Sequence, residues 1–401
     1  MKRVAIVGGG AAGCFCAVNI RRSSPDVEVT VYEAGPAPMA KLSLTGGGRC
    51  NISNSFEAVE NLREVYPRGF NLMKKALHVF GPEDTRRWFG DAGVRLYVQP
   101  DGRMFPVSDD ASEVVRVLSG LMRDNAVRVC CGRKVTSIKK GEDFILGFSG
   151  GGSAEADAVV LTSGGGTAGL AAALGIETIS PVPSLFTFRI EDDSLRSLMG
   201  SSVENTVLSI PGTGFRSSGQ LLMTDWGVSG PAVLRLSSYA ARFLSDKGYR
   251  APLAINWTGW TEEETGIWLE GAVRDNGRKM ISNVRPEGIT GRIWKHILER
   301  AGIREDLRCV ETGRKAVNRL ISVITSDSYE ISGRCRFKEE FVTCGGVALS
   351  AVDPVSMEAR ECPGLFFAGE VLDVDAVTGG FNLQAAWSTA YIASGKILLS
   401  L

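Results

Sequence analysis

Residues 4–13 read VAIVGGGAAG, and this stretch decides the fold. The apolar run predicts a short buried strand, and Gly8, Gly10 and Gly13 follow it at the G-x-G-x-x-G spacing. A helix pattern and a second strand pattern come next, and that second strand ends at Glu33. A strand, a glycine turn, a helix and a strand with an acid at its end are typical of the βαβ unit that binds dinucleotides.

Each part of this unit has a predicted physical role. Gly8 makes the tight turn, Gly10 has no Cβ to block a pyrophosphate, and Gly13 lets helix and strand pack closely. The free N–H groups and positive end of the helix face the phosphates. Glu33 can accept hydrogen bonds from an adenosine ribose, and its charge disfavours a 2′-phosphate. The first site is therefore predicted to bind FAD or NAD rather than NADP, and a merely structural glycine turn is the weaker alternative.

Size, charge and cysteine usage are typical of an intracellular enzyme. The 401 residues carry 45 Lys and Arg against 45 Asp and Glu, so no net charge favours nucleic acid or an anionic membrane. No apolar run reaches the roughly 18 to 20 residues of a membrane helix, and no signal peptide is evident. The nine cysteines are an odd number without metal-ligand spacing. We expect reduced thiols, no metal, no nucleic-acid partner, no membrane contact and a cytoplasmic location.

A second glycine cluster lies in KLSLTGGGRCN, residues 41–51. The segment favours neither helix nor strand, which predicts a loop whose backbone N–H groups and Arg49 can meet an anion. A flexible surface loop with a solvated arginine is the alternative. Cys50 is the candidate catalytic residue, because the neighbouring Arg49 could lower its pKa. The favoured interpretation of Cys50 is nevertheless a small residue that packs under the isoalloxazine.

The C-terminal region predicts a third set of ligand contacts. Residues 365–368 form a buried strand pattern with Glu370 just beyond its end, and TGGFN at residues 378–382 opens a long helix pattern. Strand carboxyl ends are where doubly wound sheets place ligands, and a helix N-terminus would stabilise negative charge on a reduced flavin. Glu370 can accept from ribityl hydroxyls. Asp373 and Asp375 are either solvated loop acids or part of the site.

The middle of the chain carries shorter signals. Strand patterns over residues 127–130, 134–138 and 144–148 predict a β-meander, and residues 158–162 predict a buried strand leading into SGGG at 163–166.

An insert is visible after PVP at residues 181–183, where the α/β pattern breaks. The following stretch mixes two kinds of pattern. Strand patterns cover residues 202–210, 220–224 and 251–257. Helix patterns cover residues 262–275, 291–301 and 314–324. Five of the seven tryptophans lie here, and we expect core packing rather than an aromatic pocket over a flavin. No second G-x-G-x-x-G lies in a βαβ unit, so NAD(P)H would have to bind transiently near the flavin.

Six segments together resemble one family. They are GGGAAG at residues 8–13, LSLTGGGRCN at 42–51, GRMFP at 102–106, GQLLMTDWGVSGPAVL at 219–234, FVTCGGV at 341–347 and GLFFAGEVLDVDAVTGGFNLQAAWSTAY at 364–391. They resemble the BaiN/YhiN-like bacterial flavoproteins, which are NAD(P)/FAD-dependent oxidoreductases, and the likeness spans essentially the whole chain.

The resemblance implies an α/β fold in which a Rossmann-like FAD-binding domain of the glutathione-reductase type is interrupted by an inserted β-barrel-like domain and a small helical domain. The implied FAD-binding domain comprises residues 1–185 and 341–401, the barrel-like domain residues 186–257 and 325–340, and the helical domain residues 258–324. The implied FAD contacts come from Gly8, Gly10, Ala12, Glu33, Lys41, Thr45, Arg49, Cys50, Asn51, Val135, Gly165, Gly369, Glu370, Asn382 and Leu383.

The reaction is less constrained than the cofactor. His78 and His296 lie in amphipathic helix patterns outside the glycine loops, which indicates structural roles. The leading hypothesis is an FAD-dependent oxidoreductase acting on a small organic molecule, by NAD(P)H-dependent reduction of an activated C=C bond, as the resemblance implies, or by oxidation of an amine with O2. The alternative is a flavin-binding redox sensor without turnover, or a partner in RNA modification.

Overall fold

The computed structural model describes residues 1–165, 168–335 and 342–400. The chain divides into two compact units, of which the first is Met1–Val182 with Val342–Leu401 and the second is Pro183–Phe341. Gly166 of the predicted glycine loop lies outside the described residues, as does the predicted boundary at residues 340 and 341. The predicted division into three domains stays a prediction.

In the described residues, the strands and helices of the first unit come first along the chain, and the last of these strands runs into the second unit. The strands are β1 (Arg3–Val7), β2 (Glu28–Tyr32), β3 (Ser53–Asn54), β4 (Leu96–Val98), β5 (Arg103–Pro106), β6 (Arg128–Cys130), β7 (Val135–Lys140), β8 (Phe144–Phe148), β9 (Ser153–Ala156), β10 (Ala158–Leu161) and β11 (Thr178–Ser184). The helices are α1 (Ala11–Ser23), α2 (Leu62–Val65), α3 (Phe70–Val79), α4 (Pro82–Asp91), α5 (Ala111–Asp124) and α6 (Gly169–Ala172).

The second unit follows, and the chain then returns to the first. The second unit's strands are β12 (Phe188–Ile190), β13 (Ser202–Ser209), β14 (Arg216–Thr224), β15 (Gly227–Ser229), β16 (Ala251–Asn256) and β17 (Asp327–Arg334). Its helices are α7 (Asp193–Arg196), α8 (Pro231–Tyr239), α9 (Ala241–Asp246), α10 (Glu262–Asp275), α11 (Gly291–Arg300) and α12 (Arg314–Ser326). The returning segment holds β18 (Val342–Val347), β19 (Leu365–Phe367) and α13 (Phe381–Ser400).

A five-stranded parallel sheet in the order β19-β10-β1-β2-β6 organises the first unit. The four residues of β10 and the three of β19 are all buried, which is typical of a parallel sheet covered on both faces. Because parallel strands end at one edge, the loops that follow β1, β10 and β19 are brought to the same edge. That edge carries the glycine-rich segments.

The predicted meander is wrong at its first strand. β6 joins the parallel sheet beside β2, whereas the antiparallel three-stranded sheet consists of β7, β8 and β9. A short apolar run has the same pattern in a parallel sheet and in a meander, so periodicity alone could not distinguish them.

The second unit is built on a closed barrel of six strands in the order β12-β15-β14-β13-β16-β17. The barrel and the helices around it share one hydrophobic core, which includes the fully buried Trp257 and Trp294. The positions of Trp257 and Trp294 therefore agree with the predicted core packing. Among the described residues, no helix combines the length and the apolar character needed to cross a membrane, and no cluster of three His, Cys, Asp or Glu could hold a metal.

A buried polar chain lies inside the second unit. Ser194 Oγ lies 2.8 Å from His296 Nδ1, and His296 Nε2 lies 2.7 Å from the hydroxyl of Tyr329. Tyr329 donates to Asp327 at 2.6 Å, and Arg300 donates to the same carboxylate at 2.7 Å. Because the Tyr329 proton goes to Asp327, Nε2 of His296 must be the protonated nitrogen. Burial is the largest influence on His296 and lowers its pKa, although Asp327 opposes the shift.

The lowered pKa of the buried His296 predicts that the folded protein loses stability in mild acid. The folded-state pKa of His296 lies below the unfolded value of about 6.5, so below that pH the unfolded state binds more protons and folding weakens. Arg300 reinforces the shift, whereas Asp327, Asp192 and Glu299 oppose it. We expect denaturation midpoints of the wild type to fall between pH 7 and pH 5 more steeply than those of His296→Gln. The exposed His78, changed to Gln, is the matched control for the loss of an imidazole. Equal slopes in the wild type and His296→Gln would contradict the assignment.

Candidate functional site

The turn after β1 requires glycine for reasons of packing. Gly8 N donates to Tyr32 O at 2.9 Å, and Thr162 Oγ1 donates to Gly8 O at 2.8 Å. A Cβ on Gly13 would lie 2.0 Å from Gly8 O, a distance that no side chain tolerates. The structure therefore gives Gly13 the close helix–strand contact that its spacing predicts.

Gly10 differs, because the protein itself leaves room for a side chain there. No atom of the described residues lies within 4 Å of a Cβ built on Gly10, and its φ of −80° suits any residue. Helix α1 begins at the next residue, with neither a capping side chain from the described chain nor an acid in its first turn. Open space in front of uncapped helix N–H groups fits a pyrophosphate.

Glu33 is held at the end of β2 by two backbone donors. Its Oε2 accepts from Gly9 N at 2.7 Å and its Oε1 accepts from Gly35 N at 2.6 Å. A carboxylate has about four acceptor positions, so room remains for ribose hydroxyls. Arg133 N donates to Glu33 O at 2.8 Å, which brings the start of β7, with the buried Val135, to the same edge.

The second glycine cluster is a compact pair of 3-10 turns, Leu42–Gly48, rather than the open loop predicted. Gly46, Gly47 and Gly48 have φ values of 60°, 69° and 86°, a left-handed run that only glycine adopts readily. A Cβ on Gly46 would lie 2.8 Å from Asn51 N, whereas none of the described atoms lies within 4 Å of one on Gly47 or Gly48. The turn is thus closely packed at Gly46 and has open space beside Gly47 and Gly48.

The charged and polar side chains of this segment remain accessible. Lys41 is exposed, and Thr45 Oγ1 donates to Leu42 O at 2.8 Å. The guanidinium of Arg49 lies 4.2 Å above the ring of Phe105 and 4.0 Å from the carboxylate of Asp109, with 41% of its side chain exposed. A half-exposed ion pair at this distance is weak, so an anionic ligand can replace Asp109 as the partner of Arg49.

Cys50 does not have the lowered pKa that the neighbouring Arg49 could have given it. Its side chain is fully buried, and burial raises the pKa of the thiol to about 12, with a smaller opposing effect from a hydrogen bond with Thr45. Proximity to Arg49 is not among the causes. A raised pKa favours the protonated thiol at neutral pH and disfavours a reactive thiolate. Packing under the isoalloxazine stays a prediction.

We expect Cys50→Ser and Cys50→Ala to keep FAD and to slow substrate reduction by less than about fivefold, because a small buried group is exchanged for another. FAD content, flavin reduction and flavin reoxidation by substrate are the measurements, with the equally buried Cys16→Ser as the control. A loss of roughly 100-fold or more in reoxidation, with FAD bound and flavin reduction unchanged, would make Cys50 a general acid instead.

The ends of β10 and β19 meet at Glu370. Its carboxylate accepts from Thr343 N at 3.1 Å and from Gly165 N at 3.5 Å, and a Cβ on Gly165 would lie 2.5 Å from Thr343 Cβ. Gly369 has a φ of 75°, and a Cβ there would lie 2.9 Å from Ala12 Cβ on α1. The turn after β19 is thereby in direct contact with the start of α1. Sequence reasoning missed Thr343, because nothing in its pattern marks a residue opposite Glu370.

The start of α13 is fixed by the Asn382 amide. It accepts from Ala376 N and donates to Ala376 O, both at 2.9 Å, which closes the turn ahead of the helix. Leu383 follows in the first turn and is half-buried. Oriented with its oxygen toward Gly380, the Asn51 amide accepts from Gly380 N at 3.0 Å. The second glycine cluster is thus joined to the N-terminus of α13.

Asp373 and Asp375 are not solvated loop acids. Asp373 is buried and accepts from Gly345 N at 3.0 Å, and Asp375 is fully buried in a two-point ion pair with Arg68. Arg68 was missed by sequence reasoning, because it lies about 300 residues from its partner. All fifteen predicted FAD-contacting residues lie in the first unit, and their contacts with FAD stay a prediction. His78, on α3, and His296, in the second unit, lie outside the glycine segments, as predicted.

Residues 2–396 match the model of the HI0933-like protein Rossmann domain. The chain belongs to this family. A 3-dehydro-bile acid delta(4,6)-reductase of Clostridium scindens is 27% identical over 411 residues, which cover 98% of each chain. A ribosomal RNA dihydrouridine synthase of Haemophilus influenzae is 27% identical over 408 residues, which cover 98% of this chain and 97% of the relative.

A solved structure shares the fold of this HI0933-like chain. The 3-ketosteroid delta1-dehydrogenase of Sterolibacterium denitrificans superposes with a TM-score of 0.52 and 12% identity over 100% of both chains. The predicted α/β Rossmann-type FAD-binding fold with an inserted barrel is confirmed, as is the resemblance to the BaiN/YhiN-like flavoproteins. Family and fold place the chain among the FAD-dependent oxidoreductases, which confirms the predicted enzyme class and its flavin cofactor.

Proposed function

We propose that this protein is an FAD-dependent reductase that saturates a C=C bond conjugated to a carbonyl group. The observation that carries the proposal is the bond type shared by two relatives with unlike substrates. One is named for reduction of the delta(4,6) bonds of a 3-dehydro-bile acid. The other is named for making dihydrouridine, which is uridine with the C=C bond beside a carbonyl saturated. In either substrate, each C=C bond is saturated by one hydride and one proton.

The first unit would hold FAD with groups described above. The uncapped N–H groups of α1 would bind the pyrophosphate beside Gly10, and Glu33 would accept from the ribose. Glu370, oriented by two backbone donors, would accept from ribityl hydroxyls. The N-terminus of α13 has no acid in its first turn, so the positive end of its dipole would stabilise negative charge on a reduced flavin. Bound FAD supplies a two-electron carrier between a reductant and the substrate.

We propose NAD(P)H as the reductant and a small organic molecule as the substrate. The sequence has one G-x-G-x-x-G turn in a βαβ unit, which favours a reductant that binds transiently rather than in its own domain. Uridine in RNA is the second candidate substrate, because of the Haemophilus relative's name. The balance of 45 basic against 45 acidic residues favours the small molecule.

Anaerobic mixing of the FAD-loaded protein with NADH or NADPH tests the proposal. We expect the flavin to bleach within seconds and to regain its colour when a 3-oxo-4-ene steroid or another conjugated enone is added. Uridine-containing RNA is the parallel arm for the second candidate. A flavin that neither reductant bleaches would favour a redox sensor. Reduction by primary amines, with reoxidation by O2 alone, would favour the amine oxidase.

A further inference from the structure

The second unit contains a cavity of about 690 Å³ beside β12 and β17. Its volume is within the range of roughly 300–1,000 Å³ of small-ligand sites. The lining combines three arginines, two aromatic rings and one acid, which are Arg189, Arg196, Arg334, Trp226, Tyr249 and Asp225. None of these residues is used in the flavin site, which lies in the first unit.

The arginines give the cavity an excess of positive charge. Arg189 pairs with Glu191 at 3.0 Å and Arg196 pairs with Asp193 at 3.7 Å. Both acids have more than half of their side chains exposed, so neither pair is strong, and a doubly charged anion would compete well with them. The Nε of Arg196 is buried and has no hydrogen-bond partner among the described residues. Since 34% of the Arg196 side chain is exposed, an anion in the cavity would meet its terminal N–H groups rather than the buried Nε.

Aromatic surface lies beside these charges. Tyr249 holds a left-handed backbone with φ of 61°, and the guanidinium of Arg334 lies 5.1 Å from the centre of its ring. Trp226 follows Asp225 in the tight turn between β14 and β15. Guanidinium groups next to aromatic faces bind phosphate and a flat heterocycle at the same time.

We propose that this cavity binds a nucleotide, with its phosphate on Arg189, Arg196 and Arg334 and its base against Trp226. The proposal rests on the proposed function only for the identity of the molecule that carries the nucleotide. One source is the adenosine 2′,5′-bisphosphate part of NADPH, and the other is a nucleotide substrate. Binding is measured without turnover, so failure of the reductase assay and failure of this proposal are separate results.

Calorimetric titration of the FAD-loaded full chain provides the test. Adenosine 2′,5′-bisphosphate and uridine monophosphate are the probes, and adenosine is the phosphate-free control. We expect at least one nucleotide to bind, and adenosine to bind at least about tenfold more weakly, because charge-assisted hydrogen bonds supply the affinity. Preference for the bisphosphate assigns the cavity to NADPH, and preference for the monophosphate assigns it to a nucleotide substrate.

Variants locate the binding. Arg334→Gln and Arg189→Gln should weaken it by roughly tenfold to a hundredfold, since each removes charged donors to phosphate. Arg216→Gln, exposed on β14 of the same barrel and outside the cavity, should leave it unchanged. Asp225→Asn removes the opposing charge and should tighten binding several-fold, which covers the case in which an arginine variant misfolds. Absence of nucleotide binding by the wild type, or equal weakening in Arg216→Gln, would overturn the proposal.

Discussion

Gly10→Val is expected to abolish FAD binding and to leave the fold of the first unit intact. A Cβ at this position meets no described atom within 4 Å, and the φ of −80° suits valine, so we expect the variant to fold. The same volume is where the pyrophosphate must approach the N–H groups of α1. Loss of two charge-assisted hydrogen bonds corresponds to roughly 100-fold or weaker affinity. The measurement is FAD released per mole of purified, folded protein, followed by titration of the apoprotein with FAD.

Gly90→Val is the matched control. Gly90 is exposed on α4, and a Cβ there likewise meets no described atom within 4 Å. Both variants thus add the same atoms to open space, and only one of the two positions faces the proposed pyrophosphate. Full FAD content in Gly10→Val would refute the assignment of this space to the ligand. Equal loss of FAD in both variants would indicate a general effect on folding.

The sequence predicts the dinucleotide turn well because its constraints are local. Gly8, Gly10 and Gly13 are separated by a few residues, and the contacts that require them are made by the turn, its own helix and the adjacent strands. The buried strands around them are also short apolar runs, which identify a parallel sheet once the turn is recognised. An apolar run does not identify the neighbouring strand in the sheet, and for that reason the prediction put β6 in the wrong sheet.

Burial of polar groups could not be predicted in the same way. Cys50 and Asp375 both follow glycine-rich or acidic stretches that look exposed in sequence, yet both are fully buried. Burial raises the pKa of the Cys50 thiol, because removal of water disfavours the thiolate. The candidate catalytic role was suggested by the adjacent Arg49, whose charge is not among the causes of the shift. Asp375 is buried because Arg68 neutralises it, and only the tertiary fold brings the two together.

Asp375→Asn is expected to cost the first unit roughly 3–5 kcal/mol of unfolding free energy, the usual consequence of leaving one member of a buried ion pair alone. Asp375 is fully buried and Arg68 is 11% exposed, and the two share a two-point hydrogen-bonded contact. The amide keeps the shape of the side chain but removes its charge, so the guanidinium loses its compensating anion. Chemical denaturation of the variant and the wild type, followed by flavin fluorescence, measures the difference.

A variant of a second ion pair and a double variant of the first distinguish the effect of charge from the effect of side-chain shape on stability. Asp109→Asn breaks the half-exposed contact with Arg49 at 4.0 Å and should cost less than about 1 kcal/mol, because water screens such pairs. Arg68→Met combined with Asp375→Leu removes both charges of the pair and leaves the nearby buried Asp373 in place. Apolar replacements of a whole buried pair are often nearly neutral. We therefore expect the double variant to be more stable than Asp375→Asn alone. A double variant as unstable as the single one would show that hydrogen-bond geometry at this position, rather than an uncompensated buried charge, determines the stability of the first unit.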